Sequence, residues 1–551
     1  MTPAPPIGPA TDILKNTAVA YPDLPCLDFM GQTMTYGEVW DAVQHAARGL
    51  QDLGIQKGNR VGLCLPNTPY YVIAHYAALL AGATVVNFNP LYTKDEIHEQ
   101  IIDSGVVIMF TLDIKTVYGK ISSALHITSL RSIIVCSLSD ALPPIKSLLF
   151  QIFKRAETVN TPKNITHVPF SLLTADNDPP HTVEINPRKD IAIIQYTGGT
   201  TGTPKGAMLT HANIRANTEQ VRIWLGDTQP GQERILCVIP FFHVFAMTAA
   251  MNLGLAIGAQ LILLPRFELH DVLEVINNKK PTLFPAVPTI YAAINKSEYA
   301  KQCDLSSIRY CISGGAPLPY GEKKKFEALT HSIVVEGYGL SEASPVVACN
   351  PPRGLNKNGS IGLALPWTEI QCRNLDHIEQ VLKNGEQGEL VVRGPQVMVG
   401  YLNHREDTNA VLKEGWLRTG DVGYQDQEGY FFLTDRIKDL IICSGFNVYP
   451  RIIEDVLYQH NDVNEVIVIG IPDDYRGEAP KAFVTLKKDA HVNEKDLLAF
   501  ACARLNPIER PVEIEFRNEL PKTLIGKLSK KELIQEHLNK LEHSKKEQAD
   551  G

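Results

Sequence analysis

Between residues 191 and 206 the chain passes from an apolar stretch, Ile191-Ala-Ile-Ile, into Tyr196-Thr-Gly-Gly-Thr-Thr-Gly-Thr-Pro-Lys-Gly206. Three glycines and four threonines occupy the seven positions from Thr197 to Thr203. Glycine accepts backbone shapes closed to other residues, so this run leaves the strand as a loop. The loop's amides and hydroxyls can wrap phosphate oxygens. Lys205 adds a point charge beside it. The loop is not a Walker A motif, because Pro204 stands before Lys205 and Gly206, not Ser or Thr, follows it. So dense a Gly/Thr pattern after a buried strand reads as a phosphate-binding loop and not as a flexible surface loop.

The rest of the first half agrees. Tyr36–Leu53 reads as an amphipathic helix and Arg60-Val-Gly-Leu-Cys-Leu as a strand. Tyr70–Ala81 is helical, Ala83-Thr-Val-Val extended, and Val106-Val-Ile-Met-Phe-Thr and Ser132-Ile-Ile-Val-Cys repeat the strand pattern. Short β-rich runs alternating with helices predict mostly parallel sheets. From about Gly385 the texture changes. Gly388-Glu-Leu-Val-Val-Arg and Gly429-Tyr-Phe-Phe-Leu-Thr are strands close to glycine turns, predicting a small β-rich subdomain. Beyond Asp435 come the strand Leu440-Ile-Ile-Cys, a helix near Arg451–Gln459 and the strand Val463–Ile469. Leu528–Gln548 reads as a Lys/Glu-rich helix. The expected fold class is therefore α/β. It comprises a large N-terminal domain of α/β subdomains with the β-rich element, followed by a small mobile α+β C-terminal domain.

Charge and cysteine usage narrow the function. With 53 Lys+Arg against 61 Asp+Glu the net charge is -8, which disfavours a nucleic-acid binder. The 10 cysteines contain no CxxC pair and read as reduced thiols of a cytoplasmic protein. The N-terminal residues carry no signal-peptide pattern. From Ile235 to Pro265 there is no acid, Lys or Arg. The interruptions at Pro240, His243, Asn252, Gly254, Gly258 and Gln260 favour a buried helix and strand over a membrane span. In Pro144–Glu157, Ile145, Leu148, Leu149, Ile152 and Phe153 stand beside Lys146, Lys154 and Arg155. This is either an ordinary surface helix or one that lies on an anionic membrane surface.

Further motifs follow the loop in order. They are Pro240-Phe-Phe-His-Val-Phe, Ser313-Gly-Gly-Ala-Pro-Leu, Tyr338-Gly-Leu-Ser-Glu, Trp416-Leu-Arg-Thr-Gly-Asp, Asp435-Arg-Ile-Lys-Asp and Pro521-Lys-Thr-Leu-Ile-Gly-Lys527. Together with the loop, this series resembles the adenylate-forming superfamily of acyl-CoA synthetases, luciferases and peptide-synthetase adenylation domains. Within it, the chain looks most like bacterial long-chain fatty-acid–CoA ligases. Gly198 stands where most relatives have Ser, and Gly415-Trp-Leu-Arg-Thr-Gly-Asp and Ser444-Gly-Phe-Asn-Val-Tyr-Pro point the same way.

The chemistry suits the residues. Tyr338 offers an aromatic face to adenine, and Ser341 a hydroxyl to the α-phosphate where the family more often has Thr. Glu342 is a hard oxygen ligand suited to a Mg²⁺ that also holds ATP phosphates. Asp421 can accept from both ribose hydroxyls, and Arg436 can donate to the same ribose. The resemblance implies an ATP site of Tyr196, Thr197, Gly198, Gly199, Thr200, Thr201, Gly202, Lys205, Gly315, Ala316, Tyr338, Gly339, Ser341, Asp421, Arg436 and Lys527. It further implies an acyl site at His243, Gly314 and Gly315, with His243 gating the acyl carboxylate. Ser444, Gly445 and Phe446 would bind CoA. Lys527, Glu342, Ser341, Lys205 and His243 would be catalytic, and Lys438 would be the hinge between domains 1–437 and 438–551. Arg451-Ile-Ile-Glu454 departs from the family, which usually has an acid two residues before Glu454.

A fatty carboxylate, with a pKa near that of Glu, is already ionised at neutral pH, so adenylation needs no general base. One anion must attack a polyanion, and positioning, a cation and placed donors address that problem. A thiol then displaces AMP. The expected partners are fatty acid, ATP and CoA, with no nucleic acid, a peripheral membrane contact and a homodimer. Coumarate-type ligation, acyl transfer to a carrier protein and a nonenzymatic acyl or nucleotide sensor are the alternatives.

Overall fold

The structure is a computed structural model that describes residues 4–159, 164–176, 178–197, 204–226, 228–444, 446–473, 475–488, 490–522, 528–537 and 539. The chain divides into two compact units. The first is Met1–Thr197, Pro204–Glu369 and Val392–Leu417; the second holds Ile370–Val391 and the chain from Arg418 onward.

An eight-stranded sheet organises the first unit. Its order is Gly400–Tyr401, Lys205–Thr210, Ile191–Thr197, Thr84–Asn87, Arg60–Cys64, Ile108–Leu112, Ser132–Cys136 and His167–Pro169. From Ile191–Thr197 onward the strands are parallel, whereas Lys205–Thr210 and Gly400–Tyr401 run antiparallel to their neighbours. Helices connect the parallel strands, as that geometry requires. Helix Tyr36–Asp52 starts at a capping box of Thr35 and Glu38, and helix Lys94–Ser104 at one of Thr93 and Glu96. Helix Pro69–Leu80 is buried from Pro69 through Leu79, which is why its sequence is apolar on every side.

Two four-stranded sheets complete the unit's framework. One runs Arg234–Cys237, Gln260–Leu263, Pro25–Phe29, Gln32–Thr35; the other runs Tyr310–Ser313, Ile333–Gly339, Val346–Cys349, Leu363–Ala364. The uncharged stretch from Ile235 resolves as expected into buried pieces. Strand Arg234–Cys237 leads to a turn at Val244–Ala246, a π-helical turn Met247–Asn252, helix Leu253–Ala256 and strand Gln260–Leu263. No described helix is long and apolar enough to cross a membrane. Helix Pro144–Phe153 buries none of its residues.

In the second unit, strands Glu369–Arg373, Gly388–Arg393, Trp416–Gln425 and Phe431–Arg436 form the β-rich element expected after Gly385. Beyond it, the sheet order Phe446–Val448, Ile441–Cys443, Gly477–Leu486, Val463–Asp473 is extended by Glu513–Phe516, which pairs in parallel with Gly477–Leu486. Helices Pro450–Tyr458 and Glu494–Cys502 pack on this sheet around Ile453, Leu457, Val466, Val484 and Leu497. Residues 530–537 and 539 are helical; Leu528 and Ser529, expected in the terminal helix, precede it, Leu528 as a bridge to Lys522, and the rest of that expected helix lies outside the described residues. All ten cysteines are free thiols.

Candidate active site

Strand Ile191–Thr197 carries the chain into the Gly/Thr loop, and Lys205–Thr210 brings it back antiparallel, with Thr197 opposite Lys205. The two strands that flank the loop are thus paired neighbours, the third and second strands from one edge of the eight-stranded sheet. Gly198, Gly199, Thr200, Thr201 and Gly202 of the expected ATP site lie outside the described residues, as do Gly445 and Lys527. Gly206 is required by packing, since a Cβ there would sit 2.7 Å from Ile194 Cγ2. The Tyr196 hydroxyl donates to Asp103, which also accepts from Asn403 Nδ2 at 3.1 Å. Burial, and then the Asp103 carboxylate, push the Tyr196 phenol well above its usual range. That hydroxyl is therefore engaged within the protein.

Gly400–Tyr401 lies along the outer side of Lys205–Thr210, with Gly400 opposite Met208 and Tyr401 opposite Ala207. From there the Tyr401 hydroxyl donates to Glu342 Oε1 at 2.7 Å. Glu342 sits in the turn Ser341–Ala343 just past strand Ile333–Gly339, and its backbone carbonyl accepts from Met398 N at 2.8 Å. The carboxylate is thus fixed at both its backbone and its side chain. Burial, followed by the Glu342 charge, raises the Tyr401 pKa, so the phenol is a donor at every physiological pH. The Lys205 ammonium lies 5.6 Å from the Tyr401 ring centroid and pairs with Asp407 Oδ1 at 2.6 Å. His404 Nδ1 approaches Asp407 Oδ2 at 3.2 Å. The hydrogen bond from Lys205 is the main cause holding the Asp407 carboxyl below its usual range.

Tyr338 and Gly339 end the strand that presents Ser341. A Cβ at Gly339 would meet the Pro345 carbonyl oxygen at 2.0 Å, so only glycine fits there. Tyr338 is 9% exposed, mostly covered by its own chain. Gly314, Gly315 and Ala316 follow strand Tyr310–Ser313, with Gly315 at φ +83°. A Cβ at Gly314 would lie 3.1 Å from Phe245 Cζ. Phe245 thus packs against the expected acyl residue Gly314.

His243 is half-buried and is positioned through its neighbours. Asn67 Nδ2 donates to the carbonyls of Cys237 and Ile239 at 3.1 and 2.9 Å, and Asn67 Oδ1 accepts from Phe241 N at 2.7 Å. The Tyr71 hydroxyl donates to the Phe241 carbonyl, and Gln195 Nε2 donates to the Phe242 carbonyl at 3.1 Å. Asn87 joins Tyr71 and Gln195 in one buried network. Satisfied networks of this kind fix a unique backbone arrangement.

In the second unit, Asp421 and Arg436 face each other across the strands Trp416–Gln425 and Phe431–Arg436. Arg436 Nε lies 2.9 Å from Asp421 Oδ1. The turn before Asp421 is organised by Glu389, which is buried and accepts from Arg418 Nε and from Gly420 N at 2.9 and 3.1 Å. The Thr419 hydroxyl donates to the Leu390 carbonyl at 2.7 Å. Asp435 accepts from the backbone N–H groups of Arg436 and Arg451, and burial raises its pKa. Lys438 lies in the turn Ile437–Asp439. Ser444, at φ +53°, and the exposed Phe446 flank the tip of the hairpin Ile441–Cys443/Phe446–Val448.

Sequence reasoning missed Tyr401, Asp407, Asp103, Phe245, the Asn67–Tyr71–Asn87–Gln195 network and Glu389. Among the described residues no cluster of three or more His, Cys, Asp or Glu side chains is placed to hold a metal ion. Glu342, with Oε1 already taken by Tyr401, fits a Mg²⁺ that draws most of its oxygens from substrate phosphates and water. It does not fit an all-protein cage.

Family models for the AMP-binding enzyme and for the AMP-binding enzyme C-terminal domain match residues 14–402 and 452–527. The chain is 44% identical over 528 residues to a long-chain-fatty-acid–CoA ligase of Bacillus subtilis (strain 168), covering 95% of this chain and 94% of the relative. ATP-bound MatB from Rhodopseudomonas palustris superposes with a TM-score of 0.82 at 26% identity, covering 95% of this chain and 98% of that one. The Mycobacterium tuberculosis fatty acyl CoA synthetase superposes with a TM-score of 0.72 at 28% identity over 96% and 98%. With its motifs in order and both family models matched in sequence, the chain belongs to the AMP-binding enzyme family.

Proposed function

We propose that the chain is an AMP-forming long-chain fatty-acid–CoA ligase. It converts ATP, a fatty acid and CoA into acyl-CoA, AMP and pyrophosphate through an acyl-adenylate. The observation that carries this reading is the Glu342 carboxylate, anchored by Tyr401 and Met398 on the same hairpin edge that roots the phosphate loop and Lys205. The full-length likeness to a relative named for long-chain fatty acids supports the substrate class.

In the first half-reaction a carboxylate oxygen of the fatty acid attacks the α-phosphorus of ATP, and pyrophosphate leaves. The carboxylate is already ionised, so no residue removes a proton. The chain's work is to hold two anions together. Lys205 exchanges Asp407 for phosphate oxygens, and Ser341 donates to the α-phosphate. Asp421 and Arg436 hold the ribose, and Tyr338 lies along the adenine. Gly314 and Gly315 leave room for the acyl chain, which Phe245 and His243 border. Lys527 supplies the cation that neutralises charge growing at the α-phosphate. Glu342 would hold a Mg²⁺, which supplies further neutralisation of the triphosphate when bound.

In the second half-reaction the CoA thiolate attacks the acyl carbonyl and AMP leaves with the bonding electron pair. Lys438 is the hinge between domains 1–437 and 438–551, and it carries Lys527 away so that Ser444, Gly445 and Phe446 meet the pantetheine arm. The ten free thiols suit a reducing, cytoplasmic setting. Peripheral contact with the membrane that holds the acyl substrate is part of the same reading.

AMP release with CoA present, measured across saturated acids of increasing length together with oleate and coumarate, tests the assignment. The reading predicts preference for long acyl chains. Preference for coumarate, or acyl-AMP that accumulates despite ample CoA, contradicts it.

A further inference from the structure

Helix Pro144–Phe153 is amphipathic, but it faces the wrong way for a soluble protein. Ile145, Leu148, Leu149, Ile152 and Phe153 recur at the spacing of one helical face, and a surface helix ordinarily turns such a stripe into the core. Here all five are between 47% and 77% exposed, and no residue of the helix is buried. The opposite side is half-buried at Ser147 and Phe150, and the first turn is tied down beside it. The Lys146 ammonium donates to the Met30 carbonyl at 2.9 Å, and Pro143 Cγ approaches the turn at Gly31. Just beyond its end, Lys115 donates to the Ala156 carbonyl at 2.6 Å.

The charges around the stripe select its cover. From Ala141 to Ala156 there is no Asp or Glu, while Lys146, Lys154 and Arg155 are all present. Lys154 pairs with Glu157 at the trailing edge. This cationic rim sits on a chain whose net charge is -8, so it is a local device and not part of a general basic field. A contiguous exposed apolar face of this kind marks an interaction site. Anionic lipid satisfies both parts, the acyl region taking the apolar side chains and the headgroups the cations. A second copy of the chain fits less well, because a two-fold pairing would bring the cationic rims of both helices together.

We propose that helix Pro144–Phe153 is a docking surface for an anionic lipid bilayer. This deepens the ligase reading by naming the surface from which the acyl substrate is collected. It rests on that reading for the purpose of docking only, because lipid binding is measured without catalysis.

The test is sedimentation of the full-length chain with vesicles of phosphatidylcholine alone and of phosphatidylcholine mixed with phosphatidylglycerol. The expected result is binding to the anionic vesicles that weakens several-fold as salt is raised. The paired substitution Ile152→Ser and Phe153→Ser should lower the bound fraction at least tenfold, and Arg155→Glu several-fold. Both variants should keep wild-type activity on fatty acid presented on albumin. Undiminished binding by the double variant overturns the proposal, as does equal binding to both vesicle types. Loss of a concentration-dependent dimer with vesicle binding unchanged also overturns it. A chain that docks through this helix yet makes no acyl-CoA overturns the ligase reading and leaves the surface standing.

Discussion

At the scale of single residues the proposed chemistry turns on how Glu342 and Lys205 are held. In the proposed reaction Tyr401 acts as a positioning residue, since its hydroxyl ties down one carboxylate oxygen of Glu342. A hydrogen bond to a charged group contributes about 1.5–3 kcal/mol. Tyr401→Phe is therefore expected to slow fatty-acid-dependent ATP–pyrophosphate exchange by roughly ten- to a hundredfold. It should leave thioester formation from supplied acyl-AMP unchanged, because that step does not involve the triphosphate. Equal losses in both half-reactions would point to a merely structural tyrosine. Lys527→Ala should abolish the exchange and spare the thiolysis. Neither Tyr401 nor Asp407 was legible in the sequence, because each meets its partner across a wide gap in the chain. Tyr401 is 59 residues from Glu342. By contrast, Glu342, Asp421 and the Gly/Thr loop announce themselves locally, since their chemistry is written into consecutive residues.

The elements explain why the motifs converge. The strand alternation was readable because parallel strands buried on both faces are short apolar runs. Strand Ser132–Cys136 and helix Tyr36–Asp52 fall where the pattern places them. What periodicity did not reveal is that Lys205–Thr210 returns antiparallel and that Gly400–Tyr401 adds beside it, because pairing partners leave no local trace. The π-helical turn Met247–Asn252 was hidden inside an uncharged stretch that is buried at every position. The segment that carries His243 is held to the central strands by buried amides. Gln195 bridges Asn87 and the Phe242 carbonyl. Gln195→Leu removes the acceptor of the Asn87 amide and the donor to the Phe242 carbonyl in the interior and should destabilise the first unit by about 1–3 kcal/mol. The urea midpoint followed by tryptophan fluorescence checks this, and the KM for fatty acid should rise more than the KM for ATP.

For the whole molecule, acid sensitivity follows from buried histidines in the first unit. Burial, reinforced by the His211 charge, lowers the His75 pKa to about 3. Burial lowers His211 to about 4; Asp190 opposes the shift and Lys57 adds to it. His211 Nδ1 accepts from Ala10 N, which suits the neutral ring. Unfolded, both titrate near 6.5. Between the folded and unfolded values the unfolded chain binds more protons, so stability rises with pH across that window and is lost as pH falls below about 6.5. Each histidine should cost roughly 2 kcal/mol between pH 7 and pH 5. His75→Gln should remove about half of that combined loss. All four tryptophans, at positions 40, 224, 367 and 416, lie in the first unit, so their fluorescence reports it alone.

The same scale places a net-acidic chain against two polyanionic substrates. Its net charge of -8 does not attract ATP or CoA, so the proposed binding calls on local cations such as Lys205 and Arg436, each of which the structure pairs with a carboxylate. The reaction is accordingly two anion-handling steps joined by an acyl-adenylate. The most direct test is oleate-dependent exchange of labelled pyrophosphate into ATP without CoA, followed by addition of CoA. The account predicts exchange in the absence of CoA, then release of AMP in equal amount with oleoyl-CoA. Exchange that requires CoA, or oleoyl-AMP that persists after CoA is added, would contradict it.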